Sequence, residues 1–149
     1  MNKSRVLFIC IHNSSRSQMA EAFLRARCGE FFEVHSAGLE AGQLNPLVIE
    51  SMSQVGMDLS GHAAKPLFDY TKAGTKFDWV ITVCDETSAE RCPVFPWGTQ
   101  RLHWSFPDPA AFAGTHEERL SETGRVRDAI QAKIEAWCTA ICPSLPAGA

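Results

Sequence analysis

The segment that most restricts the fold is Cys10-Ile11-His12-Asn13-Ser14-Ser15-Arg16-Ser17, entered from Val6-Leu7-Phe8-Ile9 and left through Gln18-Met19-Ala20-Glu21-Ala22-Phe23-Leu24. An apolar run, a short polar loop and an amphipathic stretch through Met19, Phe23 and Ala26 predict strand, loop and helix in immediate succession. A strand that turns at once into a helix leaves the first helical N–H groups unpaired and aimed at the loop, where the helix dipole adds partial positive charge. Arg16 brings a planar fork of further donors suited to a tetrahedral oxyanion. The same donors favour thiolate over thiol at Cys10, and the thiolate is the nucleophilic form. The segment therefore predicts an oxyanion loop of Ile11, His12, Asn13, Ser14, Ser15 and Arg16 with a nucleophile, Cys10, at its mouth. The alternative is a buried strand-end cysteine near a solvated arginine, because this short spacing alone recurs by chance.

A chain of 149 residues with 45% hydrophobic content predicts one domain around one core, spanning 1–149 with a flexible tail from about 143. Its net charge of -3, without Lys or Arg runs, provides no field for nucleic acid or an anionic membrane. Anion selectivity must then come from the local site. No apolar run approaches the roughly 18 to 20 residues that span a bilayer, and Met1-Asn2-Lys3-Ser4-Arg5 leads into a stretch too short for a secretory signal. These features predict a cytoplasmic protein. Six cysteines in such a chain argue against a static disulfide framework and for thiol chemistry or burial. With no C-x2-C pair, and with Asp85, Glu86 and Glu90 between Cys84 and Cys92, zinc is not expected and no metal ligand set is read.

Strands are predicted at Lys3 to Ile9, Phe32 to Gly38, Phe77 to Val83 and Gln100 to Phe106. Helices are predicted from Ser17 to about Cys28, from Asn45-Pro46 to near Gly56 with a Val48, Met52 and Val55 stripe, and briefly around Leu67-Phe68. Cys84 to Gly98 reads as a loop, and Pro107-Asp108-Pro109 breaks the last strand. Thr115-His116-Glu117-Glu118 has capping-box form and opens a long helix with Val126, Ile130, Ile134, Trp137 and Ile141 on one face, ended by Pro143. Alternating strands and helices imply an α/β fold with a parallel sheet.

Beyond these patterns, the chain resembles the low-molecular-weight tyrosine phosphatase family and, within it, the thioredoxin-coupled arsenate reductases. The resemblance runs from about residue 3 to 142. It rests on Cys10 to Glu21, on Ser36-Ala37-Gly38, on Asn45-Pro46, on Val83-Cys84 with Cys92-Pro93, and on His103-Trp104 ahead of Asp108-Pro109. It implies a three-layer sandwich with a four-stranded parallel sheet of order 2-1-3-4 and the oxyanion loop at the carboxyl edge. That order places Cys10 and Cys84 at the ends of neighbouring strands, within the reach a disulfide needs.

The implied activity is reduction of arsenate to arsenite through a covalent Cys10 adduct and a Cys10-Cys84-Cys92 relay, with thioredoxin or a similar dithiol as reductant. Arg16 would hold the oxyanion, Ser17 would hydrogen-bond the Cys10 sulfur, Asn13 would hold the loop, and Asp108 would donate a proton to the departing oxygen. Cys28, Cys138 and Cys142 are read as non-catalytic, Cys138 as buried and Cys142 as lying off the apolar face. His12 is read as a variable loop residue and His103 as packing beside Trp104. The chain is expected to act as a monomer without a resident cofactor.

Two departures matter. Ser15 stands where many relatives carry a second loop cysteine, which removes an off-pathway partner for Cys10. Asn13, Glu21 and Ser36 match a potassium site found in some arsenate reductases of this type, but Lys65 stands where that site has an aspartate. The resulting expectation is that the Lys65 ammonium replaces the ion. The rival activity is phosphotyrosine or aryl phosphate hydrolysis by the same Cys10, Arg16 and Asp108. Against it, Ala110-Ala111 follow the Asp-Pro pair where such phosphatases carry aromatic residues, and Tyr70 is the only tyrosine. A non-catalytic thiol protein that binds a partner is a third possibility.

Overall fold

In the computed structural model, residues 3–40, 42–84 and 98–142 are described. Cys92, Pro93 and Pro143, and with them most of the loop and the tail read from sequence, lie outside the described residues. Strands β1 (Ser4–Cys10), β2 (Phe32–Gly38), β3 (Phe77–Thr82) and β4 (Gly98–His103) form a parallel sheet of order β2-β1-β3-β4. Because β1 lies inside the sheet with both faces covered, Val6, Leu7, Phe8 and Ile9 are all fully buried and show no polar alternation. Each such side chain contributes about 1.5–3 kcal/mol by leaving water.

The alternating directions of these side chains define the two outer layers. Val6 and Phe8 join a cluster with Met19, Phe23 and Leu24 of α1 (Arg16–Cys28), Val48 and Met52 of α2 (Pro46–Ser53), and Val126, Ile130 and Ile134 of α4 (His116–Ile141). Trp137 closes it, with ring centroids 5.3 Å from Phe32, 5.2 Å from Trp79 and 6.1 Å from Trp104. Leu7 and Ile9 point the other way, to Ala37, Phe77, Val80 and Leu67 of α3 (Leu67–Ala73). This is the α/β sandwich that the sequence predicted.

Local chemistry sets the boundaries. Asn45 accepts from Leu47 N–H at 3.0 Å while Pro46 takes the first helical position of α2. Thr115 and Glu118 cap α4 reciprocally. Several details differ from the sequence reading. β4 begins and ends earlier than expected, so Trp104 and Phe106 enter the core from the segment after it. α2 stops at Ser53 and the chain turns at Gly56 (φ 80), which leaves Val55 off the helical stripe and 38% exposed.

The apolar faces of α1 and α4 advance in steps of four: Ala20, Leu24 and Cys28 on one, Val126, Ile130, Ile134 and Cys138 on the other. Ala26 faces outward; Ile141 lies on the same face as Ile134 and Trp137 but at the end of α4, where it is 37% exposed, and Cys142, expected off the face, packs against the core. His103 is exposed, with Nδ1 2.6 Å from Thr82 Oγ1. The expectation of no structural disulfide is also corrected. Cys28 and Cys138 are paired, joining α1 to α4 across 110 residues of sequence with their Cα atoms 6.7 Å apart. Among the described residues, no helix is long and apolar enough to cross a membrane.

Tyr70 packs edge-on against His35 and Phe77, and burial, followed by the Glu21 and Asp69 charges, pushes its phenol up to about 12. Since folding disfavours the phenolate, the associated stability is complete below the ordinary tyrosine range near 10 and is lost as pH rises toward 12. Phenolate absorbance, clean in a chain with one tyrosine, is expected to titrate near 12 in the folded protein and near 10 in denaturant. A folded-state midpoint near 10 would contradict the packing of Tyr70.

Candidate active site

β1 delivers Cys10 to the carboxyl edge of the sheet, and α1 starts at Arg16, so residues 11–15 must reverse the chain in a tight loop. The backbone does this through Asn13, the one non-glycine residue at positive φ (53°) among those described. The segment after β2 clamps the loop from outside. Leu39, Glu40, Gly42 and Asn45 donate backbone N–H groups to the carbonyls of Cys10, Ile11, His12 and Ser14 at 3.2, 2.9, 3.0 and 3.0 Å. Gly38 permits that approach, because a Cβ there would lie 2.6 Å from Asn13 N, 2.7 Å from His12 C and 2.8 Å from Ile11 O.

Inside the loop the hydrogen bonds have a direction. Asn13 is fully buried, and its Oδ1 accepts from Lys65 N at 2.8 Å and Gln18 Nε2 at 3.0 Å. Its Nδ2 donates to Ser17 Oγ at 2.7 Å. The Ser17 hydroxyl, its oxygen engaged as acceptor, can then direct its own proton to Cys10 Sγ, 2.8 Å away. Asn13 N–H points at the same sulfur from 3.2 Å. Two donors thus converge on Cys10, which is 2% exposed. Ser15 holds the N-cap position of α1 without a side-chain cap, so its hydroxyl does not consume the amides of the first turn.

Arg16 is buried at the loop's end, with Nη1 donating to Phe106 O at 3.0 Å and Nη2 3.6 Å from Asp108 Oδ2. Asp108 uses its other oxygen, Oδ1, to accept from Ala110 N–H at 3.0 Å, capping a 3₁₀ turn over Pro109–Ala111. That cap aims the carboxyl at the loop mouth. Cys84 lies just past β3; Ile9 pairs with Thr82, and Val83 N–H donates to Ile9 O at 2.9 Å. Cys10 and Cys84 therefore leave neighbouring strands at the same edge, both buried. His12 is exposed on the rim, and Ile11 and Ser14 are half-buried.

Behind the loop, buried Glu21 accepts from Ser36 Oγ at 2.7 Å and faces Arg25 Nη1 at 3.2 Å and Lys65 Nζ at 3.7 Å. A carboxylate with two cationic partners already has its charge compensated. These residues do not fit a potassium ion as well.

Sequence reasoning missed Gln18 and His62 as parts of this network. Gln18 is fully buried, and His62 Nδ1 lies 3.3 Å from its Oε1. Gln18 was legible only as a member of a motif. No local pattern signals His62, because the contact spans 44 residues.

A family model for low molecular weight phosphotyrosine protein phosphatases matches residues 5–145. The chain belongs to this family. Within it, the chain is 41% identical over 137 residues to an arsenate reductase of Shouchella clausii, covering 92% of this chain and 96% of that protein. Among solved structures, one described as an arsenate reductase in the phosphate binding state aligns with a TM-score of 0.74 at 30% identity, covering 93% of this chain and 98% of that one. A Corynebacterium glutamicum thioredoxin-dependent arsenate reductase aligns at 32% identity and TM-score 0.56, covering 91% of this chain and 63% of the other.

Proposed function

We propose that this member of the family reduces arsenate to arsenite, drawing electrons from an external dithiol. What supports this reading is that Cys84 follows the strand next to the one that ends in Cys10, at the same sheet edge, because phosphate ester hydrolysis has no task for a second thiol there. The similarity to arsenate reductases supports it.

In the proposed reaction, the loop amides and Arg16 hold arsenate, and Cys10 Sγ attacks arsenic. A sulfur–arsenic bond forms and an arsenic–oxygen bond breaks, the departing oxygen taking a proton from Asp108. Cys84 then attacks the Cys10 sulfur. The sulfur–arsenic bond breaks with its electron pair left on arsenic, which is reduced from the +5 to the +3 state and leaves as arsenite. Cys92 next attacks Cys84, frees Cys10 and forms a Cys84–Cys92 disulfide for the external dithiol to reduce. Ser17 and Asn13 serve the sulfur; Ile11, His12, Ser14 and Ser15 supply the loop backbone. The Lys65 ammonium stands in for a monovalent cation.

The same loop, nucleophile and acid are those of a phosphatase, so weak hydrolysis of aryl phosphates is expected alongside reduction. Ala110 and Ala111, exposed after the Asp-Pro pair, present no aromatic face to a phosphotyrosine ring. The deciding experiment is arsenate-dependent NADPH oxidation coupled through thioredoxin and its reductase. Multiple turnovers, with a rate insensitive to potassium at constant ionic strength, are expected. Hydrolysis of para-nitrophenyl phosphate without any arsenate turnover would reject the reductase reading, and a steep potassium dependence would reject the role given to Lys65.

A further inference from the structure

We propose that His62 is a positioning residue for the nucleophile, acting through Gln18, Asn13 and Ser17. The inference rests on Cys10 being that nucleophile. The four residues form one unbroken line of hydrogen bonds from the half-buried surface to the sulfur: His62 Nδ1 to Gln18 Oε1 at 3.3 Å, Gln18 Nε2 to Asn13 Oδ1 at 3.0 Å, Asn13 Nδ2 to Ser17 Oγ at 2.7 Å and Ser17 Oγ to Cys10 Sγ at 2.8 Å.

The orientation of each group follows from its partners. Gln18 Nε2 faces three carbonyl oxygens, Asn13 Oδ1 at 3.0 Å, Ala63 O at 3.0 Å and Asn13 O at 3.2 Å, so the nitrogen must be on that side and Oε1 on the other. An amide oxygen only accepts, which requires His62 to carry a proton on Nδ1. Two Nε2 hydrogens serve three acceptors, and those contacts alone leave the amide plane free to rock among them. The His62 proton on Oε1 removes that freedom.

Gln18 is fully buried, so loss of this partner strands an acceptor away from water, at a cost that favours reorientation of the whole amide. Reorientation pulls on Asn13, whose left-handed backbone and side chain both serve Cys10. His62 itself is held in place by a turn in which its N–H donates to Leu59 O at 3.0 Å and Ser60 N–H donates to Asp58 Oδ1 at 2.9 Å. The line of hydrogen bonds links it to the sulfur through Gln18, Asn13 and Ser17, and its effect is transmitted along that line.

The test compares wild type with His62→Ala, His62→Asn and Gln18→Leu, reading the rate of Cys10 alkylation by iodoacetamide and kcat/KM for para-nitrophenyl phosphate, with thermal melting as a check on folding. Asparagine places an amide N–H close to where Nδ1–H stood. His62→Ala is expected to lower both rates about fivefold to tenfold, the scale of one buried hydrogen bond. His62→Asn should restore them to within about twofold, and adding His62→Ala to Gln18→Leu should cost nothing further, because the relay is already broken. Wild-type rates in His62→Ala, no rescue by asparagine, or full additivity with Gln18→Leu would each overturn the inference. A Cys10→Ser chain that still hydrolyses the ester would instead remove the premise, so the two failures are distinguishable.

Discussion

Replacing Cys10 by serine is expected to abolish arsenate turnover and para-nitrophenyl phosphate hydrolysis together, by roughly 10⁴-fold or more, the scale on which loss of a nucleophile is felt in a hydrolase. The serine hydroxyl would keep its neighbours at Ser17 and Asn13 but would not ionise near neutral pH, so those donors would have no anion to stabilise. The loss is expected to be one of rate and not of binding. Cys84→Ser and Cys92→Ser should behave differently. Each should stop arsenate turnover after the first covalent step or the first disulfide, while ester hydrolysis, which needs only Cys10, Arg16 and Asp108, continues near the wild-type rate. Coupled NADPH oxidation and nitrophenol release, measured side by side, separate the outcomes. Normal multiple turnover in the Cys84 variant would end the relay proposal, and equal loss of hydrolysis in all three variants would show that Cys84 and Cys92 act on structure.

The second large effect is expected at a residue without a side chain. A single methyl group added at Gly38 would sit 2.6 to 2.8 Å from three backbone atoms of the loop, Asn13 N, His12 C and Ile11 O. None of these can swing aside as a side-chain end would. Gly38 is itself tied down, its N–H donating to Lys65 O at 2.9 Å while Leu39 N–H holds Cys10 O. The loop must therefore shift away from β2, carrying Asn13 N–H off the Cys10 sulfur. Gly38→Ala is expected to cost about 1–3 kcal/mol of stability by overpacking. It should also lower both activities on the order of 100-fold, the penalty typical of displacing a reacting group by about 1 Å. Urea denaturation and steady-state kinetics give the two numbers. A chain with intact stability and activity within twofold of wild type would mean that the loop and β2 are not in the contact described.

The tight loop from Cys10 to Arg16 could be read before any coordinates because it is defined locally. Strand, loop and helix are consecutive in Val6 to Leu24, and helix-terminal amides with an arginine at the end need no distant residue to define them. The capped starts of α2 and α4 were legible for the same reason, as Asn45-Pro46 and Thr115 with Glu118 act within one turn. Errors came where a helical face had to be extrapolated. Val55 was assigned to the helical stripe by spacing alone, yet an early stop of α2 was enough to expose it, and Ile141, on the expected face, is partly exposed because α4 ends there. The pairing of Cys28 with Cys138 was equally invisible, because nothing near either residue records that α1 and α4 lie side by side.

By itself, then, the chain's order of residues determined the α/β class and the strand, tight loop and helix that carry Cys10 and Arg16. Tertiary structure alone decided which distant groups serve that loop: Phe106 O on Arg16, Lys65 N–H and Gln18 on Asn13, Lys65 with Arg25 on Glu21, and His62 on Gln18. Hydrogen bonds and ion pairs act over a few ångströms in space, and chain separation places no limit on which residues the packed sheet and helices bring within that range.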